Sequence, residues 1–321
     1  MASTNTLQRS INVASQFLRL APLTLVGGIS NEPAFSFGDY VRQLILSPPF
    51  AWRWNRSQTA FLAQQGVQDY ALVNWSSNTQ FVQGMILIDP NGNQQQAGTT
   101  GVSGPGAPGW SQTVQGVTVD NTVNWICAGP VGTTGISPPG PVYTTPTPIN
   151  NFGWLEKATI VDQNGQAYEL PIQLNLSLES QQNQPNSIAT LSDNDGLAPT
   201  LAPAITFRLS PAPDKTYLVN LTYQQAALSF TDITGTWSPI PDYLFYLYNQ
   251  GVMAKAYEYF GDERFAFSQQ MFLRQVLAVS EGLTDSQKNI WLAEKIDSER
   301  EAQAQLGNSA SGRAGRGMFN A

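Results

Sequence analysis

The sequence predicts an α+β protein: a helical bundle from the N- and C-terminal segments, plus an antiparallel β-sandwich-like domain carrying a small Gly/Pro-rich β insertion. Three observations lead there. Apolar residues recur at helical spacing near both ends of the 321-residue chain. Between them the pattern alternates or runs in short apolar blocks punctuated by Asn-Gly and Pro-rich turns. The 100 residues from 57 to 156 contain no Lys or Arg and are rich in Gln, Asn, Thr, Ser, Gly and Pro, a polar composition suited to β-rich surfaces.

In chain order, TLQRSINVASQFLRL places Leu7, Ile11, Ala14 and Leu18 on one helical face, with Pro22 as its stop. Ser36 reads as the N-cap of FGDYVRQLIL, with Asp39 as an acidic variant of the capping box and Phe37, Val41, Leu44 and Ile45 as the apolar face; Ser47-Pro48-Pro49 ends it. Gly66 then marks a turn between two short strands, and FVQGMILIDPNGN a strand entering an Asn-Gly turn. WLEKATIVDQNGQAYELPIQ is a hairpin about Asp162-Gln163-Asn164-Gly165, and ITFRLSPAPDKTYLVNLTYQQAAL gives two further strands.

The Gly/Pro-dense stretch from 90 to 150 still holds Trp110, Val117, Val119, Val123, Trp125 and Ile126, so it reads as a small β insertion on Pro-rich stalks rather than a disordered segment. Residues 181–203 read as a long loop. The last third turns helical. PDYLFYLYNQGVMAKAYEYF has Leu247, Gly251 and Ala254 at steps of three and four, the small residues allowing close approach by another helix. Gly261 separates it from a second helix whose stripe is Phe265, Phe272, Val276 and Val279, ended by Gly282. Thr284-Asp285-Ser286-Gln287 caps a third helix running to about Leu306. Six acids and three bases between Glu281 and Glu301 make it polar and short of apolar surface to bury. The resulting division is 1–50 and 237–306 for the bundle, 51–89 and 151–236 for the β domain, 90–150 for the insertion, and 307–321 for a flexible tail.

Composition narrows function. The chain has no His and a single Cys, Cys127, which excludes an intramolecular disulfide framework, Cys/His zinc sites and His-dependent triads. Cys127 itself reads as a small buried hydrophobe. Neither a signal peptide nor a membrane span is expected, and assembly in the cytoplasm follows. Net charge is -7; residues 57–207 hold nine acids against one base, Lys157, so nothing suggests wrapping nucleic acid. Asp193 and Asp195 in SDNDG lack the spacing of a calcium loop, and Asp162 to Gly165 is a turn. Gly104-x-Gly106-x-x-Gly109 contains two prolines and opens no helix, so it is no dinucleotide fingerprint. No nucleophile, base and orienting group assemble; a catalytic activity, a cofactor and a metal are not expected.

Three features together resemble the head-to-tail adaptor, or neck, proteins of short-tailed bacteriophages. They are the order of N-terminal helices, a β domain entered through AQQGVQDYAL, and terminal helices; the segment LSPAPDKTYLVNLTYQQAAL; and PDYLFYLYNQGVMAKAYEYFGDERFA, similar to that family's bundle helices. The similarity covers residues 1–85 loosely and 150–306 better; the 90–150 insertion departs from it and resembles Gly/Trp β units of virion and surface proteins. The resemblance implies a structural virion protein of the neck, a homo-oligomeric ring of twelve copies joining the portal protein to a tail nozzle or tail tube protein. DNA would pass through its lumen without sequence-specific binding. It implies Arg313, Arg316, Met318 and Phe319 as portal-docking residues and Leu247, Gly251, Ala254, Phe265 and Phe272 as bundle packing. The alternative is a receptor- or carbohydrate-binding virion protein acting through the insertion, with Trp110 and Trp125 against the glycan.

Overall fold

The computed structural model describes residues 3–19, 32–131, 149, 151–179, 181–194 and 201–297. The expected docking tail, Arg313, Arg316, Met318 and Phe319, lies outside the described residues, as do Pro22 and Asp195. The chain divides into a helical unit, 1–55 with 227–321, and a β unit, 56–226. The architecture is α+β.

The helical unit contains α1 (Leu7–Leu18), α2 (Ala34–Leu46), α3 (Phe245–Tyr259), α4 (Phe265–Val279) and α5 (285–297). Thr6 caps α1 by accepting from the Arg9 N–H, and Arg19 in the left-handed region ends it at φ 54°. The α2 start corrects the expectation for Ser36. The helix begins at Ala34, three residues before the expected Phe37, and the Glu32 carboxylate accepts from both the Ser36 N–H at 3.2 Å and its hydroxyl at 2.6 Å. Asp39, not a cap, accepts instead from the Phe230 N–H at 2.8 Å. Of the expected apolar faces, Leu7, Ile11 and Ala14 of α1 and Phe37, Val41, Leu44 and Ile45 of α2 are buried, and Leu18 is half-buried.

Helix α3 is central. It packs on α1, α2 and α4 and buries residues all round its circumference, from Leu247 and Tyr248 to Val252, Ala256 and Tyr257. A helix touched from three sides has no polar face to keep, which is why its sequence is aromatic and small rather than amphipathic. The third C-terminal helix is also corrected. α5 has the expected capping box, Thr284 with Gln287, but it is not without apolar support. Trp291 is buried edge-on against Phe50, ring centroids 5.0 Å apart, and Leu292 and Ile296 pack beside it.

The β unit holds β1 (Arg56–Ala63), β2 (Asp69–Val73), β3 (Gln80–Phe81), β4 (Ile86–Ile88), β5 (Asn93–Ala97), β6 (Gly101–Val102), β7 (Val117–Asp120) and β8 (Val123–Pro130). After these come β9 (Phe152–Val161), β10 (Ala167–Leu170), β11 (Gln182–Asn183), β12 (Ser187–Asn194), β13 (Ala204–Ser210), β14 (Ala212–Pro213) and β15 (Tyr217–Gln225). A four-stranded antiparallel sheet runs β1-β15-β9-β10 and a seven-stranded sheet β12-β13-β2-β4-β5-β8-β7, the latter antiparallel except for β2 beside β4. Phe61, Val219, Tyr223 and Ile160 of the first sheet share a core with Leu72, Ile86, Phe207 and Leu209 of the second, a sandwich-like arrangement. The opposite face of the seven-stranded sheet buries Val73, Leu87, Ala97, Trp125 and Ala204 with Phe81 and Met85.

This pairing corrects the insertion. Strands β5, β8 and β7 are continuous with the seven-stranded sheet: Ile86 pairs with Gln96 and Gln96 with Ile126, so the expected border at 89/90 falls inside a hairpin. Residues 187–194, expected in a loop, form an edge strand, β12. The helical unit resumes at Ala227 rather than 237, because residues 228–237 bond to α1 and α2: Leu7 N–H donates to the Gly235 carbonyl at 3.0 Å, and Arg42 donates to the Leu228 and Thr236 carbonyls.

Two hairpins use one turn design. In Asp89-Pro90-Asn91-Gly92-Asn93, Asp89 Oδ1 accepts from the N–H groups of Asn91 and Asn93 at 2.8 and 2.9 Å. In Asp162-Gln163-Asn164-Gly165-Gln166, Asp162 Oδ1 accepts from those of Asn164 and Gln166 at 2.9 Å each. Both glycines sit at φ 79°, where a side chain would be strained.

Candidate functional site

Of the expected packing residues, the fold brings four together. Leu247, Gly251 and Ala254 are buried on α3, and Phe272 faces them from α4. Gly251 is the crossing point. A β-carbon there would lie 2.8 Å from Val41 Cγ2 and 2.9 Å from two atoms of the Phe272 ring, so α2, α3 and α4 meet at contact distance only because the position is bare. Phe265 is not part of this cluster. It begins α4 half-buried, and the core face of that helix is instead Ser268, Gln269, Phe272, Leu273, Val276 and Leu277.

Above α3, aromatic rings continue the packing. Trp237 stacks on Tyr248 at 4.5 Å and donates through Nε1 to the Ser10 hydroxyl at 3.1 Å. Phe230 meets Trp237 edge-on at 5.2 Å, and the buried Arg42 guanidinium lies 3.6 Å from the Phe230 ring centre. Burial lowers the Arg42 pKa to about 10, against the attraction of Asp39.

Asp242 opens the short turn into α3 and gathers the N-terminal segment. Its carboxylate accepts from the Ser3 and Thr4 hydroxyls at 2.7 Å, the Asn5 amide at 2.7 Å, and the backbone N–H groups of Thr4 and Asn5 at 3.0 and 3.2 Å. The hydrogen bonds from Ser3 and Thr4 hold it well below the usual carboxylate range. Arg9 completes the corner, donating to Asn5 and lying over the Phe245 ring at 4.5 Å. Near the α3–α4 turn, Asp262 is held down to about 2 by its hydrogen bonds from Arg264. Each of these shifted carboxylates is an acceptor fixed in its ionised form, which suits fastening and not proton donation.

The outer surface of this unit carries large apolar groups. Tyr243, in the short turn before α3, and Tyr246, at the start of that helix, are exposed, and Tyr259, Phe260 and Phe267 flank the α3–α4 turn. Tyr259 packs edge-on against both Phe37 and Phe260. Clustered exposed aromatics of this kind characterise interaction surfaces.

Of the two tryptophans offered for glycan contact in the alternative reading, Trp125 is corrected. Trp125 is fully buried, its Nε1 donating to Asp120, and Trp110 covers it edge-on at 5.7 Å while half-buried itself. Asp120 also accepts from Trp75 Nε1 at 2.8 Å and the Gly104 N–H at 2.7 Å, tying the Gly/Pro-rich segment to the sheet. The two tryptophans form the core under that segment. Cys127 is buried, as read. Among the described residues no group of three metal-ligating side chains occurs, and no helix is long and apolar enough to cross a membrane. A small cavity lined by Thr59, Leu72, Val73, Ile86 and Ile149 has a volume of about 10 Å³, room for roughly one water.

Sequence reasoning missed a buried polar seam. On β5, the Gln94 side chain acts as a strand edge, accepting from the Leu62 N–H at 2.7 Å and donating to the Leu62 carbonyl at 3.2 Å. Gln95 donates to Asp89 at 2.8 Å and to the Ser111 carbonyl at 2.9 Å. The run Asn93-Gln94-Gln95-Gln96 was the available signal: four amides in a strand flanked by apolar neighbours need internal partners. Compared with protein-family models and with curated proteins, the chain matches none.

Proposed function

We propose that this chain is a structural virion protein, the ring-forming subunit that joins a phage portal to the tail and leaves a passage for DNA. The observation that carries the reading is the architecture of the helical unit. Both ends of the chain build one bundle, and the β unit is inserted between α2 and α3. A ring subunit must contact a neighbour on each side and a different partner above and below, and heterologous contacts that close produce a ring. The exposed aromatic groups around α3 and α4 supply apolar surface for such contacts. The scarcity of cations in the β unit suits a wall past which DNA slides, since basic sites hold phosphate tightly.

The ring would be dodecameric and the 307–321 tail would dock on the portal through Arg313, Arg316, Met318 and Phe319. The test is binding of the full chain and of a chain lacking 307–321 to purified portal. The expected result is a stable complex with the full chain and weakened docking without the tail; equal binding by both removes the tail from the account.

A further inference from the structure

The seven-stranded sheet has two flanks, and among the described residues both present large apolar side chains and no unpaired cation. On one flank β7 is the last strand among the described residues. Its residues 116, 118 and 120 face β8, so the backbone groups of Val117 and Val119 point away from the sheet. The two side chains lie on the sandwich face, in a row that runs Val117, Ile126, Gln96, Ile86, Leu72, Ile205. The four-stranded sheet covers the Ile205 end of that row. At the other end no described residue covers it: Val117 is 57% and Val119 70% exposed, with Val114 open beside them.

On the opposite flank β12 is terminal, and the chain from Pro171 to Glu179 is strapped across its first half. Gln173 N–H donates to the Ile188 carbonyl at 2.9 Å, Arg208 donates to the Leu176 carbonyl at 3.0 Å, and Glu179 N–H donates to Gln68 at 3.1 Å. These anchors fix the strap while leaving Leu174 92% and Leu178 70% exposed, with Leu191 open on β12 at its bulge. A segment held by three polar anchors that presents leucines outward has a built apolar face.

Natural monomers protect sheet edges with Lys, Pro or inward charges. Here the protection is partial: β7 has one inward charge, Asp120, and no Lys or Pro, and the strap that covers the first half of β12 brings its own leucines to the surface with one exposed acid, Glu179. The 100 residues from 57 to 156 have no Lys or Arg, the single acid of β7 is the buried Asp120, and the one cation beside the strap, Arg208, is paired with Asp69 at 2.6 Å. A nucleic acid or an anionic membrane would need cations that are lacking here. A second neutral β edge needs none.

We infer that the two flanks are the two halves of one head-to-tail contact, the β7 edge of one copy seating against the β12 and strap flank of the next. A sheet with unlike sticky edges on opposite sides joins copies heterologously, which closes into a ring or grows. The six exposed Val and Leu side chains remove on the order of 600 Å² from water. That is about half of the roughly 1,200 Å² at the lower end of stable interfaces, and backbone pairing with polar neighbours completes it. The inference deepens the ring reading by naming its interface.

The experiment uses the full chain with Val119→Lys and Leu174→Lys, both at exposed positions, with circular dichroism to verify folding and light scattering for molar mass. Each variant alone is expected to be monomeric, its association weakened on the order of 100-fold by an unpaired charge at the contact. Mixed together, the two variants are expected to form a 1:1 dimer and nothing larger, because each retains the flank the other lacks. If wild type assembles and either variant assembles equally well, the flanks are not the interface, while the ring reading stands. If the variants are monomers that fail to pair on mixing, the contact is not head-to-tail. A wild type that is monomeric at all concentrations overturns both.

Discussion

Gly251→Ala separates a helix that is central from one that is peripheral. At an open helical position the change stabilises a protein, since Ala is favoured over Gly by about 1 kcal/mol. Here the added methyl would stand 2.8 Å from Val41 Cγ2 and 2.9 Å from Phe272 Cε2 and Cζ. Both neighbours are fully buried, so neither has solvent to swing into. Overpacking of this kind costs about 1–3 kcal/mol. The two effects oppose, and we expect a net loss of about 1 kcal/mol, growing with Gly251→Val. Urea unfolding followed at 222 nm is the assay, because the described α-helices all lie in the helical unit. Combining Gly251→Ala with Phe272→Leu should recover part of the loss, a coupling of roughly 1 kcal/mol between contacting sites. A variant stabilised by about 1 kcal/mol, or strict additivity with Phe272→Leu, refutes the three-helix crossing.

Three further outcomes follow from particular contacts. Gln94→Ala leaves the half-buried N–H and C=O of Leu62 without their partner, a loss of about 1–2 kcal/mol, read as faster hydrogen exchange across Arg56–Ala63; unchanged exchange there refutes the seam. Trp291→Ala removes the anchor of α5 beside Phe50 and should cost about 3 kcal/mol and expose residues 285–297 to exchange, whereas a polar helix with no core contact would show neither. Asp242→Asn should destabilise the protein at neutral pH. The folded pKa of Asp242 is depressed, so its contribution is fully present above the unfolded value of about 3.9 and is lost as pH falls through the lower folded value. The stability gap between wild type and Asp242→Asn therefore narrows on acidification below about pH 4; a gap constant from pH 7 to pH 2 contradicts the clamp.

What the sequence disclosed was local. The faces of α1 and α2 follow from 3.6-residue spacing of Leu7, Ile11, Val41 and Ile45, and both Asp-x-Asn-Gly turns announce their hairpins through residues only four apart. Long-range pairing was not legible. β2 pairs with β13 across some 130 residues, and β5 with β8 across the Gly/Pro-rich stretch, so nothing in that stretch's composition reveals that it belongs to the main sheet. Helix α3 was legible as a helix and in its Leu247, Gly251 and Ala254 face, but not in its burial from three sides, which erases the amphipathic stripe; α5 misled because one tryptophan does the anchoring that a stripe does elsewhere. Phe265 kept the apolar spacing of α4, but it sits at the helix start, half-buried and short of the core. Of the candidate surface, the small-residue crossing at Gly251 and Ala254 was readable. The exposed valines and leucines of the sheet flanks were not, since exposure is a property of what covers a residue.

The most direct measurement is gold-labelled antibody imaging of intact particles from the source culture. The account predicts label at the junction of head and tail. Label at fibre tips, or on no particle at all, contradicts it.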